Sequence, residues 1–76
     1  MAREQRIEIL AEMVANVLSV AVEVGDVVGV GDIVVLLESM KMEIPVLAEA
    51  PGTVTSVKVS EGDVVQEGDI LVTLDL

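Results

Sequence analysis

The sequence has no cysteine, no histidine and no aromatic residue, and each absence closes a route. Without Cys there is no disulfide, no thiolate metal site and no cysteine nucleophile. Without His the commonest general base and the commonest metal ligand are missing. Without Phe, Trp or Tyr no ring can stack on a base or a sugar. Positive charge is scarce too: four Lys and Arg stand against 14 Asp and Glu, for a formal net charge of -10. Neutralising phosphates needs clustered cations, so neither nucleic acid nor an anionic membrane surface is an expected partner of so acidic a chain. The longest uninterrupted apolar run is Ile33 to Leu37, far short of the roughly 20 residues that span a bilayer. The first six residues, Met1 to Arg6, lead into no signal-type apolar stretch, which sets the expectation of a cytoplasmic protein.

What is present is aliphatic. Of the 76 residues, 53% are hydrophobic, so a single domain over 1–76 can be built on a core of branched side chains. An internal repeat organises it. A shift of 37 residues aligns 7–39 with 44–76 without a gap, and 17 of the 33 aligned positions are identical. Gly25-Asp26-Val27-Val28 falls on Gly62-Asp63-Val64-Val65, and Gly31-Asp32-Ile33 falls on Gly68-Asp69-Ile70. Two copies are too few for a solenoid, which points to a closed domain with a pseudo-two-fold axis.

Each copy reads as short strands punctuated by Gly-Asp turns. Val17, Val20, Val22 and Val24 suggest one strand by their alternation, as do Val57 and Val59 around Lys58; Ile33 to Leu37 and Ile70 to Leu74 are further strands. The segment from Ile7 to Leu18 also fits a helical stripe. Its equivalents in the second copy include Pro45 and Pro51-Gly52, which a helix interior does not tolerate, so both copies are expected to be extended. The expected fold is all-β, a flattened barrel of two interlocked four-stranded sheets. Because residue 41 maps onto Glu4 and onto a position just past the C-terminus, the joining turn should lie at one pole and the termini at the other.

That joining turn, Leu37-Glu38-Ser39-Met40-Lys41-Met42-Glu43-Ile44, breaks the local rules. Tight hairpin loops favour Asn-Gly, Asp-Gly or Gly where φ is positive, and none of these residues is present. Met can be a flexible core filler and a Lys an ordinary solvated charge. The two lysines differ, however. Lys58 sits between Val57 and Val59, where an outward direction explains it, and it maps onto Ala21. Lys41 sits at the junction of the repeat, where the scaffold gives no reason for a Met-Lys-Met tip. A locally inconsistent turn in an otherwise consistent sequence marks a functional position.

The segment Glu38-Ser39-Met40-Lys41-Met42-Glu43 resembles the Glu-Ala-Met-Lys-Met signature of the biotinyl domain, or biotin carboxyl carrier, family. The likeness extends along the chain: Ala48 to Val54 resembles the family's Ala-Pro-x-x-Gly-x-Val stretch, and Val59 to Asp69 its downstream Gly-Asp repeats. The resemblance implies a barrel-sandwich hybrid fold and biotin in amide linkage on Lys41. It implies that Met40, Met42 and Glu38 are recognised by a biotin protein ligase and by partner subunits, a biotin carboxylase and a carboxyltransferase. The chain departs from the family at Ser39, where Ala is usual, at Glu12 and Glu49, where Pro is frequent, and at Val14-Ala15-Asn16, where Pro-Gly-Thr is common. With no insertion between the copies it is similar to the thumbless members, and its brevity suggests a free-standing carrier or a detached terminal domain.

A carrier role accounts for the missing catalytic residues. The cofactor carries the chemistry and the domain positions it, while a neutral Lys amine is a natural nucleophile for attachment. The chain is therefore expected to be a non-catalytic component rather than an enzyme. The Gly-Asp pairs do not have calcium-loop spacing, and ordinary turn chemistry suffices for them, so no metal is expected. Two other readings stay open: a lipoyl carrier, in which the Lys usually follows Asp and precedes Ala, and an unmodified lipoyl-like adaptor.

Overall fold

The computed structural model describes residues 5–76, so Glu4, the counterpart of Lys41, lies outside the described residues. The regular elements are strands: β1 (Arg6–Leu10), β2 (Ala15–Val20), β3 (Val27–Val28), β4 (Ile33–Ser39), β5 (Met42–Leu47), β6 (Gly52–Val57), β7 (Val64–Val65) and β8 (Ile70–Asp75). The 37-residue shift carries β2 onto β6 and β3 onto β7 with identical bounds, and β1 and β4 onto β5 and β8 to within a residue. The segment that also fitted a helical stripe forms the end of β1, a bend at Met13–Val14 and the start of β2 rather than a helix, as the prolines of its counterpart require.

Two four-stranded sheets result, ordered β1-β8-β6-β3 and β5-β4-β2-β7, with every pairing antiparallel. Each sheet takes two strands from each copy, and the shift exchanges one sheet for the other. The fold is a barrel-sandwich hybrid, and each copy is completed only by the other.

The pairing register explains the composition of β4 and β8. Ile33 pairs Leu47 and Val35 pairs Val46, so Val34 is skipped; in the other copy Leu71 is skipped between Ile70–Leu10 and Val72–Ile9. These bulges let two successive side chains face inward, and Val34, Val35, Leu71 and Val72 are all 0% exposed. An uninterrupted apolar run thus serves strands of an antiparallel sheet, where strict alternation is the ordinary pattern. The core also includes Val17, Leu37, Val54 and Leu74, and it contains no ring.

Four turns stitch the copies together. In each, the Asp N–H donates to the carbonyl three residues back, and the Asp carboxylate accepts from that same residue's N–H: Glu23 with Asp26, Gly29 with Asp32, Ser60 with Asp63 and Gln66 with Asp69. The intervening glycines have φ between +91° and +98°, the geometry of a type II turn. Each turn then bonds the opposite copy. Gly25 N–H donates to the Val54 carbonyl and Asp26 accepts from Val54 N–H; Gly62 and Asp63 do the same with Val17. The carboxylates of the Gly-Asp pairs are thus occupied by their own backbone.

One expectation needs correction. Alternation suggested strands through Val24 and Val59, but β2 ends at Val20 and β6 at Val57. Ala21 N–H makes a last bond to Val34, and the chain then crosses to Val54 of the other sheet. Val22 is still buried and Val24 exposed, so the pattern outlasts the ladder. Lys58 accordingly lies just past a strand, exposed, with its N–H donating to Leu71.

The crossing fixes the poles. β2 starts beside Glu38 and leads away from it, and the turn that follows meets Val54, next to the Thr53–Asp75 end of the other sheet. The molecule is elongated, 46 × 19 × 17 Å. One end carries the β4–β5 hairpin; at the other, Leu76 N–H donates to the Gln5 carbonyl.

Candidate functional site

Ser39 pairs with Met42, so the β4–β5 hairpin has a two-residue loop consisting of Met40 and Lys41. Both have positive φ, 53° and 65°, and they are the non-glycine residues with this conformation among those described. Two successive left-handed residues make a type I′ turn, the geometry that follows the twist of a tight hairpin. A side chain in this region costs about 1–2 kcal/mol relative to a right-handed conformation. The Gly-Asp turns relieve the same demand with glycine; the tip does not.

The tip therefore holds its side chains at the expense of local backbone strain, and it presents them fully. Met40 is 91% exposed and Met42 64% exposed, so neither fills the core. Lys41 is exposed, and no hydrogen bond or ion pair engages its ammonium among the described residues. Lys41 is thus a primary amine, accessible from outside, at the end of the long axis. A rigid base supports it, since β4 is paired on both sides, by β5 and by β2.

Pseudo-symmetry adds a comparison within the molecule. At the opposite pole Arg6 faces Asp75, and Arg6 Nε donates to Asp75 Oδ1 at 3.1 Å. The equivalent pair beside the tip is Glu43 facing Glu38. Like charges directly across two strands are unfavourable. The scaffold accepts an ion pair at this position, yet the Lys41 end carries two carboxylates, Glu38 half-buried and Glu43 exposed. Glu38, Met40, Lys41 and Met42, all indicated by the sequence, come together on one hairpin. Glu43 was not singled out as a site residue, because its opposition to Glu38 depends on the register.

Compared with known proteins, the chain is similar to biotinylated proteins, to carboxylases and to a lipoyl domain. A family model described as "Biotin-requiring enzyme" matches residues 8–74. A biotinylated protein TB7.3 homolog of Mycobacterium leprae is 62% identical over 37 residues, a match spanning 49% of this chain and 52% of that protein. Biotinylated protein TB7.3 of Mycobacterium tuberculosis matches to the same extent, so the matched stretch spans about half the length of these relatives.

Among solved structures, a single-chain, multi-domain long-chain acyl-CoA carboxylase superposes over 90% of this chain and 7% of its own, with a TM-score of 0.83 and 32% identity. Urea carboxylase from Kluyveromyces lactis superposes over 97% of this chain and 6% of its own, with a TM-score of 0.86 and 28% identity. The lipoyl domain of the 2-oxoglutarate dehydrogenase complex from Azotobacter vinelandii covers 96% of this chain and 95% of its own, with a TM-score of 0.70 and 28% identity.

Proposed function

The chain belongs to the biotin-requiring enzyme family, and from that premise we propose that it is a biotin carboxyl carrier with biotin joined through an amide to Lys41 Nζ. The observation that carries this reading is the strained two-residue tip, which holds an exposed lysine, unpartnered among the described residues, at the end of a rigid hairpin. Biotin supplies a group that takes up a carboxyl at one active site and releases it at another. Everything else falls to the chain's own residues.

Lys41 Nζ is the attachment atom. Met40, Lys41 and Met42 are exposed at the tip, so a biotin protein ligase approaches it without displacing any strand. Met40 and Met42 offer soft apolar surface on either side of the amine, and Glu38 with Glu43 supplies a paired negative charge at its base. The compact body lets the tip visit a biotin carboxylase and a carboxyltransferase in turn, with a high effective concentration at each. No acid–base or nucleophile constellation is needed in such a chain, which acts as a carrier component.

The test is the intact mass of the chain purified from its own source, and of recombinant chain treated with biotin ligase and ATP. A gain of one biotin less one water, lost in Lys41→Arg and retained in Lys58→Arg, is the expected result. Met42→Leu should slow ligase modification while leaving the far-UV circular dichroism unchanged. A lipoyl-sized gain would transfer the carrier role to oxo-acid chemistry, the direction in which the lipoyl-domain likeness points. No gain in any preparation would refute the carrier reading and leave the tip as a protein-binding surface.

A further inference from the structure

Between the outer edges of β1 and β5 runs an open groove of about 1040 Å³, on the pseudo-two-fold axis. Its walls are symmetry pairs of aliphatic residues, Ile7 with Ile44, Ile9 with Val46 and Leu10 with Leu47, and Leu37 lies beneath. Symmetry makes the exceptions informative, because whatever differs between the two sides is not required by the fold. Position 8 is Glu on the β1 side, where its counterpart on β5 is Pro45. The turn bonded to Ala11 carries Glu67, and the equivalent turn bonded to Ala48 carries Val30. The β1 wall therefore carries three glutamates, Glu8, Glu12 and Glu67, against Glu49 alone on the β5 wall.

The backbone differs in the same sense. Leu76 N–H donates to Gln5, and the alternation of antiparallel bonding from that pair turns the N–H and C=O of Glu8 away from β8, toward the free edge. The equivalent residue of β5 is a proline, which has no N–H to offer. Only the β1 side has an edge with its donors complete.

Protection of edges against aggregation accounts for a charge at Glu8 and for Pro45. It does not account for Val30, 69% exposed on the groove's rim, where the other copy has Glu67.

We propose that this groove docks an extended segment of a partner protein that pairs with β1, alternating apolar side chains against the aliphatic walls with Lys or Arg facing Glu8 and Glu67. Charge complementarity selects this occupant. Among the described residues the groove lining contains four glutamates and no cation, and two chains of net charge -10 repel one another, which disfavours a second copy. The groove lies at the waist, since Leu10 pairs Ile70 and Leu47 pairs Ile33, away from both poles. Docking there leaves the Lys41 hairpin free, and it stands independently of what Lys41 carries.

The test uses the unmodified full chain and two fluorescein-labelled decapeptides, one alternating Lys with Val and one alternating Lys with Ser, read by fluorescence anisotropy. The Lys-Val peptide should bind at least tenfold more tightly. Glu8→Gln/Glu67→Gln should weaken it roughly tenfold, whereas Glu23→Gln/Glu61→Gln, an equal change of charge outside the groove, should alter it less than twofold. Amide chemical-shift changes should centre on residues 7–10, with unchanged circular dichroism certifying the fold of each variant. Equal affinity for the two peptides, or equal weakening by the two double variants, would reduce the effect to unspecific attraction and overturn the proposal. Dimerisation of the free chain that involves β1 would overturn it in favour of a second copy.

Discussion

Replacing Met40-Lys41 with Asn-Gly should make the protein more stable while removing Lys41. The native pair has φ of 53° and 65°, and each left-handed side chain costs about 1–2 kcal/mol. Asn tolerates this region and Gly is unstrained there, although Gly in the unfolded chain restores about 0.5–1 kcal/mol of conformational freedom to be lost on folding. Since Met40 is 91% exposed, its removal sacrifices almost no buried area. The balance is a gain of about 1–2 kcal/mol. For a domain of this size each kilocalorie moves the midpoint by about 4–8 °C, which thermal melting followed by far-UV circular dichroism will resolve. Urea titration gives the same difference independently, and an unchanged m-value would place the gain in the native state. Met40→Asn alone should give about half of the effect and retain Lys41, which separates strain from the loss of the amine. A double variant no more stable than the parent would refute the claim that the tip is strained, and with it the argument that the tip sequence is held there for a purpose other than folding.

Three further outcomes follow from the same geometry. Glu43→Arg should recreate beside the tip the pairing that Arg6 makes with Asp75; replacing a like-charge pair with an opposite one should add about 0.5–1 kcal/mol, read by urea unfolding at low salt and diminished at high salt. Gly52→Ala should destabilise by about 1–3 kcal/mol, because a Cβ there would stand 2.6 Å from the Asp75 carbonyl oxygen; a neutral result would mean that β6 and β8 separate without penalty. Asp26→Ala and Asp63→Ala should each lose about 1 kcal/mol, since each leaves the N–H of Glu23 or Ser60 without its acceptor, and near-equal losses in denaturant titrations would establish that the two copies use the turn alike.

The candidate site was legible because its signal is local. A two-residue loop is constrained by its own chemistry, so Met40-Lys41 in place of Asn-Gly is informative before any contact is known. The same holds for the Gly-Asp turns, in which the Asp acceptor and the left-handed Gly are adjacent in the chain. Glu43 and the groove were not legible in this way. The contrasts of Glu8 with Pro45 and of Glu67 with Val30 are visible once the copies are aligned, but alignment does not say that all four line one groove.

The sequence by itself determined the duplication, the all-strand character and the address of the tip, because hydrophobic periodicity, proline exclusion and turn preferences act over a few residues. Tertiary structure decided which copy completes which sheet. The segments Val27–Val28 and Val64–Val65 are identical in sequence, and nothing within them selects a partner; β3 joins β6 and β7 joins β2 because the turns before them are bonded to Val54 and Val17. It also decided where strands stop. The Val alternation runs past Val20, but a ladder lasts only while a partner strand runs beside it, and there the chain leaves one sheet for the other. Finally, it set Glu38 opposite Glu43 and opened the groove between β1 and β5, since register and the meeting of distant edges are long-range facts that no stretch of this sequence contains.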